Sequence, residues 1–178
     1  MTGVSEVPLA RTVRAVYAAT AAVAVLWLLG IFLAPWLAAR GAPGASRALY
    51  ALFSPVCHQA AGRCFTLLGR PLAVCGRCLG IYAGFAAGLL AYPLLRGLSA
   101  EPALPPARAF VLAVLPLAVD GTAGVLGLWR SPLGLRFATG LAWGTLLPFY
   151  ALAGAVGLAR LLRERRAERA LENRAGPQ

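Results

Sequence analysis

Cysteine and histidine residues are concentrated in one short segment of the chain, residues 57–78. The segment holds all four cysteines with the spacing C-x6-C-x10-C-x2-C, and the chain's only histidine follows the first of them. Structural zinc sites use four Cys or His ligands and often contain a C-x2-C pair. The spacing therefore predicts a metal site, with zinc as the candidate ion; the candidate ligands are Cys57, His58, Cys75 and Cys78, with Cys64 as a fifth.

The same cysteines allow two other interpretations. In an oxidising compartment they would form disulfides, and four cysteines permit three pairings. A helix that begins near Cys75 would lower the pKa of its thiol, and Arg77 would lower it further, which favours redox chemistry. Cysteine is also a small apolar residue that packs between helices. Residue types alone leave metal binding, disulfide or thiol chemistry, and packing open.

Asp120 is the only acidic residue inside an apolar run of the sequence. A carboxylate within a bilayer is costly, so its side chain should face a partner or a wet cavity. The expected partner is Arg136, or Arg63, Arg77 or His58 if the cysteine segment folds inward. Asp120 is then either a group that handles protons or ligands, or half of a structural ion pair.

Several arginines near these residues have the chemistry of an anion clamp. A guanidinium group binds phosphate or carboxylate through two parallel hydrogen bonds. Arg63, Arg77 and Arg136 are candidates for such a clamp. The alternative is that arginines extend to lipid phosphates at the membrane surface, which we favour for Arg70 and Arg130.

The elements that must position these residues are apolar helices. Hydrophobic residues make up 60% of the 178-residue chain and charged residues 13%, and a membrane span needs roughly 20 mostly apolar residues. The sequence predicts an all-α integral membrane protein with four transmembrane helices, at about residues 15–39, 78–95, 108–129 and 137–159. The first run could also be a signal peptide, but it is longer than the usual apolar region of one.

The remaining segments are polar or interrupted by proline. Residues 56–77 are too polar for a lipid-exposed span and are expected to form an outer loop or a re-entrant piece shielded by protein. We expect a single transmembrane domain over residues 11–160. Around its spans we predict a disordered stretch at 1–10, a linker at 41–46, a short interfacial helix at 47–53, a Pro-rich loop at 97–107 and an Arg-rich tail at 161–178.

Every basic residue is an arginine, and the net charge is +11. The arginines lie between apolar runs and in the tail, which indicates contact with anionic lipids rather than with nucleic acid. Four spans place ten arginines on the side of the termini and seven on the other. This bias predicts a multi-pass protein of the cell membrane with cytoplasmic termini and an outward-facing cysteine segment.

Glycines recur along the predicted helices at a spacing that brings them to one face. Gly80, Gly84 and Gly88 repeat every four residues, and Gly140 and Gly144 repeat the pattern in the last span. Small residues let helix backbones approach closely in lipid. These faces should therefore turn inward.

The strings CHQAAGRC, VCGRCLGIYAGFAAG, DG and LRFATGLAWG resemble a family of small predicted membrane proteins, domain of unknown function 2085. The resemblance covers about residues 53–150, and Cys64 departs from the family's serine. It implies no activity, but it does imply that one site combines Cys57, His58, Cys75, Cys78, Asp120 and Arg136. The other matching residues include Gln59, Arg63, Arg77 and Tyr82.

These observations give two functional hypotheses. In the first, the outward-facing Cys/His cluster binds a metal or forms disulfides above a polar pocket with Asp120 and Arg136, in an enzyme acting on a lipid or small molecule of unknown identity. Its catalytic candidates are His58, Tyr82, Asp120 and Arg136, and its binding candidates are Gln59, Arg63, Arg77 and Arg136. In the second, the protein is a non-enzymatic transport or assembly subunit with structural cysteines. The chain has no Gly-rich phosphate loop and no nucleophile elbow.

Overall fold

The structure is a computed structural model, and it describes residues 6–98 and 104–175. Within these residues the chain forms five α-helices and one two-stranded hairpin. The helices are α1 (Glu6–Ala39), α2 (Pro43–Phe53), α3 (Gly76–Arg96), α4 (Ala107–Val125) and α5 (Leu133–Ala175). The antiparallel strands are β1 (Thr66–Leu67) and β2 (Arg70–Pro71), and a single 3₁₀ turn, Ala61–Arg63, precedes them.

Among the described residues, four helices are long and apolar enough to cross a membrane: Ala10–Ala39, Gly76–Arg96, Ala107–Val125 and Leu133–Leu162. Their outer faces carry exposed leucines, among them Leu26, Leu90 and Leu112. Apolar surface of this extent marks contact with a partner or a membrane. The predicted class, an all-α integral membrane protein with four spanning helices, is confirmed.

The helix ends differ from those expected from the sequence. Helix α1 begins at Glu6, inside the stretch expected to be disordered; residues 1–5 lie outside the described part of the chain. Helix α4 ends at Val125 rather than near residue 129, because Gly127 adopts a left-handed φ of 73° and the Leu128 amide donates to the Ala123 carbonyl. This is the hydrogen-bond pattern of a Schellman C-cap. Asp120 therefore lies near the end of α4, not at its middle.

The other connections also depart from expectation. Helix α2 begins at Pro43, inside the predicted linker, because proline fits the first turn of a helix, where its missing N–H costs nothing. The Ser46 hydroxyl then donates to the Ala34 carbonyl, 2.8 Å away, which ties α2 to α1. Helix α5 continues through the predicted Arg-rich tail to Ala175. Part of the Pro-rich loop, residues 99–103, and the tail's residues 176–178 lie outside the described residues.

Helices α3 and α5 pack backbone to backbone. A Cβ atom built on Gly84 would lie 2.4 Å from the Leu141 carbonyl oxygen, and one built on Gly144 would lie 2.1 Å from the Ile81 carbonyl oxygen. Cβ atoms built on Gly80, Gly88 and Gly140 would likewise lie 2.2–2.3 Å from a carbonyl oxygen of the opposite helix. No side chain fits there, so the inward glycine face predicted for these two helices is confirmed.

The cysteine segment folds into a compact loop over one end of this helix pair. Its hairpin turns at Leu68 and Gly69, which both have positive φ, as a two-residue type I′ turn requires. The chain that follows the hairpin, residues 72–74, is buried against Ile31 of α1 and Phe53 of α2. Residues 72–74 are thus shielded by protein, whereas most of the loop before them is exposed.

We expect the Gly84→Ala substitution to destabilise the fold by about 2 kcal/mol or more, because the added methyl group forces the backbones of α3 and α5 apart. Unfolding by sodium dodecyl sulfate titration in lipid–detergent micelles measures this loss. Gly154→Ala is the matched control: it lies in α5 with no atom within 4 Å of the added Cβ. Similar losses in the two variants would contradict close packing at Gly84.

Candidate functional site

Three of the four cysteines converge where α2 ends and α3 begins. Cys57 follows α2, Cys75 is the N-cap of α3 and Cys78 lies in its first turn. The sulfur atoms of these three residues all lie within 4.8 Å of one another. We call this cluster of three cysteines the thiol group and refer to a single –SH only as the thiol of a named residue. The group could hold a metal ion. The C-x2-C spacing places two of the thiols together because residues three apart share one side of a helix turn.

Hydrogen bonds fix Cys57 in this position. Its sulfur accepts the backbone N–H of Cys75 at 3.2 Å, and its own N–H donates to the Phe53 carbonyl at 3.0 Å. The side-chain amide of Gln59 donates to the Tyr50 carbonyl at 2.7 Å, and the Tyr50 hydroxyl donates to the Pro71 carbonyl. Gln59, a predicted ligand-binding residue, thus fastens the loop to α2.

The structure does not bring His58 or Cys64 into the thiol group. Cys57 is buried, but the next residue, His58, is exposed. The Cys64 thiol is buried and donates to the Ala60 carbonyl at 3.3 Å. Of the four predicted ligands, three are therefore together.

The environment separates two of the cysteines chemically. Hydrogen bonds with the thiols of Cys57 and Cys78 lower the pKa of Cys75, which favours its thiolate. Burial raises the pKa of the Cys64 thiol to about 11, and the neighbouring Cys75 and Cys57 add to this rise. A metal ligand must be a thiolate, and Cys75, inside the thiol group, forms a thiolate more readily than Cys64, outside it.

Asp120 pairs with Arg77, the residue between Cys75 and Cys78. The Arg77 guanidinium donates to the carboxylate and joins α3 to α4. Asp120 is only 7% exposed, and its second oxygen, Oδ1, has no hydrogen-bond partner among the described residues. A basic partner for Asp120 was expected from the sequence, and Arg77 was one of the candidates. The pair places a neutralised buried charge directly beside the thiol group.

Arg136 lies in the first turn of α5 and takes a different role. Its Nε–H donates to the Ser131 carbonyl at 3.0 Å, and its side chain lines a cavity between the cysteine loop and the α4–α5 connection. Asp120 does not line this cavity. Ser131 and Arg136, which line it, both interact with the Asp120 carboxylate, so the groups expected around one pocket lie close together although Asp120 forms its salt bridge with Arg77.

Tyr82 lies one turn beyond Cys78 and packs its ring edge-on against Trp27 of α1, with ring centres 5.7 Å apart. Both residues line an apolar groove on the side of the bundle, away from the arginine-lined cavity. Tyr82 thus faces the membrane-spanning part of the protein below the thiol group.

Residues 57–150 match a family model described as predicted membrane protein, domain of unknown function 2085. The chain belongs to this family. The match begins at Cys57, the first residue of the thiol group, and ends within α5. It covers every site residue predicted from the sequence, from Cys57 to Arg136. The resemblance found in the sequence motifs is thereby confirmed.

Two relatives extend the comparison. An uncharacterised protein of Methanocaldococcus jannaschii is 39% identical over 133 residues, which cover 72% of this chain and 85% of that protein. An uncharacterised protein of Methanothermobacter thermautotrophicus is 36% identical over 93 residues, which cover 52% of this chain and 80% of that protein. No solved structure matches the chain.

Sequence reasoning missed Ser131 and Trp129, which line the same cavity as Arg136. They belong to the short connection WRSPLGLR, in which only Arg136 was a site candidate and Arg130 was assigned to the membrane surface. The available signal was its length: so short a connection between two antiparallel helices must hold Arg130 and Arg136 at the same end of the bundle as the cysteine loop.

We expect Arg77→Met to destabilise the protein by about 3 kcal/mol, because it leaves the buried Asp120 carboxylate unpaired. Asp120→Asn should cost less, since the Arg77 side chain is partly exposed. Sodium dodecyl sulfate titration of both variants and of the double variant completes a double-mutant cycle. The double variant should recover most of the Arg77→Met loss; strictly additive losses would show that the two side chains do not interact.

Proposed function

We propose that the protein is a membrane metal–thiolate protein in which Cys57, Cys75 and Cys78 bind one thiophilic divalent ion, with zinc as the first candidate. The observation that carries the proposal is the convergence of three sulfur atoms within 4.8 Å. Zinc–sulfur bonds of about 2.3 Å in tetrahedral geometry separate the sulfurs by about 3.8 Å. A small closure of the thiol group is enough to reach that spacing.

The composition of the thiol group favours a metal over a disulfide. A disulfide joins two sulfurs and would leave a third thiol against it, whereas a metal uses all three. The Cys75 N–H that points at the Cys57 sulfur supports the same assignment, because metal-bound thiolates are stabilised by hydrogen bonds from their surroundings. The lowered pKa of Cys75 is consistent with a ligand that binds as the anion.

Three protein ligands leave one coordination position for water or a substrate. Catalytic zinc sites keep such a position, whereas structural sites are closed by a fourth protein ligand. The exposed His58 lies outside the group, which supports the open arrangement. We therefore favour a membrane-surface enzyme acting on a small molecule or lipid. A closed structural site in a non-enzymatic subunit would require His58 as the fourth ligand.

Detergent-purified protein should contain about one equivalent of zinc per chain, measured by mass spectrometry of the metal. Serine substitution of Cys57, Cys75 or Cys78 should remove most of it, because two remaining thiolates bind weakly. Cys64→Ser is the matched control and should retain the metal, since Cys64 is buried in the same loop but lies outside the thiol group.

Two further measurements separate the competing arrangements. His58→Ala should keep the metal if the site is open and lose it if His58 closes the site. Thiol titration without reductant should find no disulfide between the three cysteines. A metal-free protein with two thiols oxidised would overturn the metal assignment and establish the disulfide instead.

We also propose that both termini are cytoplasmic and that the cysteine loop faces outward, on the basis of the arginine bias along the sequence. A cysteine introduced at the exposed Ala61 should react in intact cells with a maleimide that cannot cross membranes. A cysteine at Ala107, at the opposite end of the bundle, should react only after lysis, with the unmodified protein as background. The reverse pattern would invert the topology.

A further inference from the structure

A second site lies beside the thiol group, at the same end of the bundle. A cavity of about 470 Å³ opens between the 3₁₀ turn of the cysteine loop and the α4–α5 connection. We call it the arginine cavity, because its lining includes three guanidinium groups, those of Arg63, Arg130 and Arg136. Trp129 and Ser131 form part of the same wall.

Among the described residues, no carboxylate lines the arginine cavity. The nearby Asp120 interacts with Arg136 and Ser131 of its wall, but its salt bridge is with Arg77. Three arginines therefore share the cavity without a carboxylate of their own.

The burial of Arg136 argues against simple extension toward lipid phosphates. Arg136 is only 6% exposed, and its side chain forms no salt bridge within the described part of the chain. Its Nε–H donates to the Ser131 carbonyl, and this hydrogen bond orients the guanidinium along the cavity wall. The Ser131 hydroxyl is also buried; it lies close to the Asp120 carboxylate but forms no hydrogen bond of normal geometry among the described residues. A buried charge and a buried hydroxyl both require partners.

We propose that the arginine cavity binds an anion of the phosphate-ester class, held by Arg63, Arg130 and Arg136. Phosphate oxygens match the paired N–H groups of guanidinium, and a hydroxyl such as that of Ser131 can donate to a further oxygen. Arg130, expected to extend to the membrane surface, thus takes the place in the clamp that the sequence assigned to Arg77. The site does not depend on a metal in the thiol group.

The phosphate could belong to a lipid headgroup or to a soluble ester. The cavity lies where α4 ends, next to the exposed apolar side chains of Val125, Leu126 and Leu128. These side chains would lie beside the acyl chains of a lipid whose headgroup occupied the cavity. The chemistry of the headgroup and of the free ester is the same, so the experiment must distinguish the two sources.

The test uses the full chain in uncharged detergent at physiological salt, with thermal unfolding as the readout. The probes are inorganic phosphate, glycerol phosphate, dioctanoyl phosphatidic acid and, as the zwitterionic control, dioctanoyl phosphatidylcholine. We expect concentration-dependent stabilisation by the phosphate probes and none by phosphatidylcholine, because binding to the folded state raises the melting temperature. Stabilisation by phosphatidic acid alone identifies a lipid site; stabilisation by the soluble anions as well identifies a phosphate-ester site open to water.

Variants at exposed positions keep the test independent of folding. Arg63→Gln and Arg130→Gln should each weaken phosphatidic acid binding about tenfold, as expected for the loss of one charge-assisted contact. Arg70→Gln, at an exposed arginine of the same loop outside the cavity, should bind normally. The proposal is overturned if no phosphate probe binds, or if Arg70→Gln weakens binding as much as the cavity variants. Zinc content should be unchanged in all three variants, which separates this result from that for the thiol group.

Discussion

The backbone contact between α3 and α5 is the constraint on which the rest of the structure depends. Apolar side chains gain little from leaving lipid for protein, so helices in a membrane associate mainly through close packing. Here the carbonyl groups of each helix occupy the space that side chains would fill on the other. The contact fixes the rotation of both helices. It thereby sets the start of α3, with Cys75, Arg77 and Cys78, beside the start of α5, with Arg136.

The polar end of the bundle divides its charges between two tasks. Arg77 and Asp120 neutralise each other's charge next to the thiol group, so that the cysteines lie beside a neutral pair rather than a bare cation. Three other arginines near this end, Arg63, Arg130 and Arg136, line a cavity. The arrangement follows from where the helices begin and end. Asp120 lies in the last turns of α4, close enough to the start of α3 to pair with Arg77. Arg136 lies in the first turn of α5 and faces the cysteine loop.

Sequence patterns predicted the parts of this structure that depend on periodicity. The four apolar runs, the glycine face of α3 and α5 and the proximity of Cys75 to Cys78 all follow from helix geometry. The path of the loop formed by residues 56–75 could not be predicted from periodicity, since it depends on the φ and ψ angles of individual residues. Gln59, Leu68 and Gly69 adopt positive φ angles, and in this loop Cys57 reaches the thiol group while His58 remains exposed. Adjacent sequence positions gave no sign of that separation.

The ion pair between Arg77 and Asp120 has a consequence for synthesis of the protein. The two residues are separated by 43 positions, which at about 5–20 residues per second corresponds to roughly 2–9 s of translation. Arg77 therefore leaves the ribosome ahead of its counter-ion by this interval. Because Arg77 is the second residue of α3, it can reach lipid phosphates during this interval. An arginine two turns deeper in the same helix would face hydrocarbon until α4 emerged from the ribosome.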